Sequence, residues 1–172
     1  HYHFGSRDNL FEAVVRRVLD HFSQYDLASL LAPLKPELDT PLGQARAIRA
    51  VVRHELAKTF NPDQPHWYCR ALYQLMQFKS PLQDLFLDEY VHPYIDQLHD
   101  LLHKIDPGLT KDELHMRTVV LIAPLIFHAD YIQVLQGIMG IDSYSPNYLQ
   151  KLEDLVALQM QKAMGLPSDK EA

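Results

Sequence analysis

Apolar residues recur along this chain at helical spacing. Leu10, Phe11, Val14, Val15, Val18 and Phe22 fall three and four apart, with Arg16, Arg17 and Asp20 on the other side. Such a stripe lines one face of a 3.6-residue helix, and Ser6 ahead of it is suited to cap the first-turn amides. Ile48, Val52, Leu56 and Phe60 repeat the pattern behind Thr40–Pro41. Two further segments open alike, at Ser80–Pro81 and Ser145–Pro146. Each has a capping hydroxyl, then a proline whose missing N–H is one that the first turn leaves unbonded anyway. Thr110 and Glu113 form a capping box, and the stretch between Pro62 and Lys79 predicts one more helix. That makes six helices, with a further short turn within residues 26–38. Alternation of period two, the mark of half-buried strands, is absent, so the predicted class is all-α.

The fifth helix holds an unbroken apolar run of nine residues, Val119 to Phe127. It is far short of the roughly 18 needed to span a bilayer, so no membrane partner is expected. A helix apolar all round must be covered on both faces. The last helix, with Tyr148, Leu149, Leu152, Leu155, Val156, Leu158 and Met160, is also broader than one stripe. These last two helices are predicted to form a four-helix interface between two copies of the chain. Pro93 and Pro124 fall inside helical patterns and predict local kinks.

Composition narrows the class further. A chain of 172 residues, 47% apolar and 22% charged, is globular and large enough for one ordinary domain, or one domain with the remnant of another. The lone Cys69 excludes an internal disulfide framework and a multi-thiolate metal site, and a cytoplasmic setting is expected. No apolar leader is visible in the first residues. A net charge of −6 repels polyanions overall, so nucleic-acid contact would need a local basic surface or residues upstream.

The opening stretch, "HYHFGSRDNLFEAVV", resembles the end of the DNA-binding domain in the TetR family of bacterial transcription regulators. The resemblance is carried by Tyr2, His3, Phe4, Gly5, Ser6, Arg7, Asp8, Leu10 and Phe11, and departs from the family pattern at His1 and Asn9. The segment "LFLDEYVHPYIDQLHDLL" is similar to the CecR-like branch. The resemblance implies that residues 1–23 are the remnant of a helix-turn-helix domain with its connecting helix. Residues 24–172 would be the effector-binding and dimerisation domain, and two helices and most of the recognition helix would lie upstream. Tyr2 and Arg7 would then meet DNA phosphates and His3 a phosphate or a base edge, the Arg7 guanidinium beside a helix start that itself attracts anions. The implied protein is a homodimeric, ligand-responsive regulator, a repressor released from its operator DNA by a small apolar or aromatic effector. Large groups on the middle helices are the candidate pocket: Trp67, Tyr73, Met76, Phe86, Tyr90, Phe127, His128 and Tyr131, with Tyr90, His128 and Tyr131 as polar anchors.

Other chemistry is weaker. His92, Asp96, His99 and His103 share a helical face, yet no HExxH pattern is present and charged neighbours give the look of a solvated face, so no metal or other cofactor is expected. No glycine-rich phosphate loop or GxSxG motif occurs, and Cys69 with His66 reads as a small buried hydrophobe rather than a nucleophile and base, so no catalytic residues are assigned. The alternative is a helical dimer that binds a small molecule or metal without DNA.

Overall fold

The computed structural model describes residues 7–61, 63, 67–77 and 79–170, with only the backbone at residues 7, 8, 67, 69, 70, 72 and 73. All regular structure among the described residues is helical. Helix α1 spans Arg7–Ser23, α2 Leu27–Leu31 followed by a 3₁₀ turn Ala32–Glu37, α3 Pro41–Thr59 and α4 Trp67–Gln77. Then come α5 Pro81–Phe86, a π turn Leu87–Val91, α6 His92–Ile105, α7 Lys111–Asp130, α8 Ile132–Met139 and α9 Pro146–Ala163.

The helix starts follow from local chemistry. Thr40, Ser80 and Ser145 each accept a bond from the backbone N–H three residues on, with proline at the next position. Thr110 and Glu113 cap reciprocally at α7. Asp26 does the same for α2, accepting from the N–H groups of Ala28 and Ser29. Two departures from the sequence pattern stand out. The expected kink at Pro93 takes the form of a π turn just ahead of it, while α7 runs on through Pro124. The apolar signal past residue 130 continues into α8 only after a 74° bend.

The core divides into two layers. The larger holds α2, α3, α6, α7 and α9, closed by Leu27, Ile48, Val52, Leu98, Leu102, Leu121, Val156 and Met160. Helix α3 packs most extensively on α9. The smaller layer joins α1 to α4, α5 and the π turn through Val15, Leu19 and Phe86, and through Val18, Phe22 and Tyr68. Tyr90 belongs to both of these smaller clusters.

The C-terminal segment is tied back onto α3. Gly165, at φ 68°, reverses the chain after α9, a backbone region that side chains disfavour. Asp169 then accepts two bonds from the buried Arg49 guanidinium, one of 2.7 Å, and a third from Gln161. Arg49 also reaches Asp154 at 2.8 Å, and Lys170 reaches the other oxygen of Asp154. Burial pushes the Asp169 carboxyl up, but the donors from Arg49 and Gln161 outweigh it and hold the group below the ordinary aspartate value.

Helix α7 is covered on one face only within this chain. Leu121, Ile122 and Leu125 are buried, whereas Met116, Val119, Val120 and Phe127 on the opposite side are exposed. Beside that face runs an edge of α9, where Tyr148 bonds to His128 of α7 and Leu155, two turns on, is exposed. No single helix among the described residues is long and apolar enough to cross a membrane.

Candidate functional site

A half-open cavity of about 180 Å³ lies where the two layers meet. From the smaller layer come Phe22 of α1, Met76 of α4, Phe86 of α5, and Tyr90 and Val91 of the π turn. The larger layer supplies Glu55, Lys58 and Thr59 of α3, Tyr94 and Ile95 of α6, and Ile122 and Ile126 of α7. Met76 and Ile126 are the exposed members and rim the opening.

One wall is an aromatic ladder. Phe86, Tyr90 and Tyr94 follow one another at intervals of four, and their rings stack at 5.5 and 6.1 Å between centroids, with interplanar angles of 17° and 11°. The Phe22 ring leans on Tyr90 at 5.8 Å, which brings α1 into the same wall. The π turn carries the middle of the ladder, and such wide turns recur at functional sites.

The floor is polar and charged. Lys58 and Glu55 are both buried and pair at 2.6 Å. Lys58 also donates to the Tyr90 hydroxyl at 2.8 Å, and its ammonium sits 4.7 Å from the centre of the Tyr94 ring. Burial opposes that charge, but the Glu55 carboxylate and the Tyr90 oxygen outweigh it and hold the amine above its ordinary value. The Tyr94 hydroxyl is closed off from the open part of the cavity, with the Glu55 carboxylate beside it. Burial, then the neighbouring carboxylate, push it well above the ordinary phenol range, so it stays a donor. A second cleft, of about 340 Å³, runs between α1 and α4–α5 past Phe11, Val14, Leu75 and Leu82. It is the roomier of the two, but no charged side chain among the described residues lines it. The smaller cavity, with a buried ion pair beneath aromatic rings, is the candidate site.

Of the pocket residues expected from sequence, Met76, Phe86 and Tyr90 line this cavity. Phe127, His128 and Tyr131 do not. Helix α7 turns Ile122 and Ile126 to the cavity, and the next residue, Phe127, lies about 100° further round, on the exposed side. His128 faces α9, with Nδ1 at 2.7 Å from the Pro124 carbonyl and Nε2 at 3.0 Å from the Tyr148 hydroxyl. Tyr131 stacks on Phe127 at 4.7 Å. The Trp67 and Tyr73 side chains lie outside the described residues, as do Tyr2, His3 and the Arg7 side chain.

Glu55 and Lys58 were missed, although the sequence carries a signal for them. With Val51 they stand at i, i+4 and i+7, so two charges occupy positions of a buried stripe. The histidine row does not assemble. His92 lies 3.3 Å from Asp88, while His99 turns edge-on to His115 of α7. Among the described residues no three histidine, cysteine or carboxylate side chains are grouped to hold a metal ion. Comparison with protein-family models, with curated proteins and with solved structures finds no match to this chain.

Proposed function

We propose that this chain is the regulatory part of a homodimeric transcription regulator of the TetR type, acting in the cytoplasm, whose DNA affinity responds to a small molecule held in the cavity between the two layers. One observation carries the reading. The helix that begins in the Tyr2–Arg7 motif ends in the cavity wall, at Phe22. Helix α1 rests on α4, α5 and the π turn, whereas α3, α7 and α9 pack on one another. A ligand that prefers one seating of the smaller layer over another therefore biases the angle at which α1 leaves the body, and with it the spacing of two DNA-binding heads.

In that reading Tyr2, His3 and Arg7 contact operator DNA in the full-length protein, and two copies meet through the exposed faces of α7 and α9. The apolar face of Met116, Val119, Val120 and Phe127, opposite the buried side of α7, supports the second point. The test is a gel shift of the full-length protein on the DNA upstream of its own coding sequence at low salt. Retardation that a cavity ligand relieves is the expected outcome, with Tyr2→Phe/Arg7→Ala weakening it across all sequences. No retardation at low salt would leave a ligand-binding helical dimer with no role at DNA.

A further inference from the structure

Little in its own chain accounts for helix α8. It has eight residues, no side-chain cap at its start and no buried residue, and its principal packing partner is α7. A helix that short is marginal in water unless packing supports it. It is also bare of charge. From Tyr131 to Ile141 the chain carries no charged side chain, yet Val134 is 57% and Ile138 76% exposed. We infer that α8 is an arm of the dimer, its Val134–Ile138 side covered by the second copy of the chain together with the apolar face of α7. The inference rests on the reading of this chain as a homodimer and adds to it a third helix, outside the α7 and α9 faces.

Continuity, composition and flanking charge select the second copy. The Phe127 and Tyr131 rings stack at 4.7 Å, which joins the exposed face of α7 to the start of α8. Of the thirteen large apolar side chains exposed among the described residues, nine lie between Met116 and Met139, so this stretch holds most of the apolar surface left to be covered. Interfaces between like chains are more apolar than those with passing partners, which fits a helix with no charged residue. Two-fold symmetry also sets the same patch on both copies, and an uncharged patch meets no repulsion from itself. A lipid surface fits less well. Helices that lie on anionic membranes carry Lys and Arg beside their apolar face, whereas α8 is bracketed by Asp130 and Asp142 in a chain of net charge −6.

The experiment combines sedimentation velocity of the full-length protein over a dilution series with amide hydrogen exchange of residues 132–141. Ile138→Asp and Phe127→Asp are compared singly with the native chain. The Ile138 side chain is mostly exposed within one copy, so its replacement spares the fold, which circular dichroism verifies. Ile138→Asp is expected to raise the dimer dissociation constant at least about 30-fold. The α8 amides are expected to exchange at least about 10-fold faster in a Phe127→Asp monomer than in the native dimer, a comparison that leaves α8 itself unchanged. The inference is overturned if Ile138→Asp dimerises as the native chain does, or if the α8 amides exchange alike in dimer and monomer. A native monomer overturns it together with the dimer. Flotation of the native protein with phosphatidylcholine–phosphatidylglycerol vesicles, abolished by Ile138→Asp without any change in dimerisation, would assign the helix to lipid and overturn it as well. Loss of the dimer in Ile138→Asp but not in Phe127→Asp would support α8 and count against the α7 face. A dimer weakened by Ile138→Asp in a protein that shifts no DNA would support this inference and count against the regulatory reading.

Discussion

Asp169 illustrates how a single side chain near the end of the sequence can hold a buried charge elsewhere. Arg49 sits in the α3–α9 contact, where an unpaired guanidinium would be costly, and Asp169 gives it a two-point partner. Asp154 and Glu153 remain within reach when Asp169 is changed, which limits the damage. Asp169→Asn should cost about 2 kcal/mol, read from urea unfolding at neutral pH. The sign of the pH effect follows from the lowered native value. The carboxylate's contribution is complete above the ordinary aspartate value of 3.8 and fades as the pH falls through the lower native one. Native and variant curves should therefore run parallel above about pH 5 and draw together as the pH falls below the ordinary aspartate value of 3.8. A separation that acid leaves unchanged would contradict this account.

Among the elements, the start of α3 is the most constrained. Thr40 accepts from the Gly43 N–H at 3.1 Å and donates its own hydroxyl to the Glu37 carbonyl at 2.9 Å, folding the 3₁₀ turn back over the first turn of the helix. Gly43 is buried against that turn, and a Cβ built there would overlap the Glu37 carbonyl. Gly43→Ala should therefore destabilise by about 3 kcal/mol, the opposite of what alanine does inside an ordinary helix. Thermal unfolding measures it, and a variant as stable as the native chain would mean that the turn can swing away freely. The π turn is the other element with consequence. Tyr90 stands within it, with Phe86 and Tyr94 four residues to either side, so the wall of the cavity depends on a local widening that no capping residue announces.

For the whole molecule the decisive feature is the division into two layers with a cavity between them. The larger layer ends in an exposed apolar face on α7, and we expect that face to be covered by a second copy. Sedimentation velocity at micromolar concentration should give a dimer, and Phe127→Asp should give a folded monomer, because the side chain is half exposed and stands outside the core. A native chain that sediments as a monomer would remove the dimer from the proposal. Helix α1 packs on α4, α5 and the π turn, the elements of the smaller layer beside the cavity.

Much of this was legible in local sequence. Thr40–Pro41, Ser80–Pro81, Ser145–Pro146 and the Thr110–Glu113 box announce helix starts because a cap involves residues only three apart. The stripe Val15, Val18, Phe22 announces a buried face because helical spacing alone puts those side chains together. Which aromatic residues share a cavity is a different question, since it depends on how far each helix is rotated against its neighbours. Phe127 and Ile126 are adjacent in the chain yet point about 100° apart, and tertiary packing alone turned Ile126 to the cavity. Glu55, Lys58, Tyr90 and Tyr94 come from different stretches, and their meeting required α3 and α6 to be docked. The same holds for Arg49 and Asp169, 120 positions apart, whose pairing rests on chain reversal at Gly165.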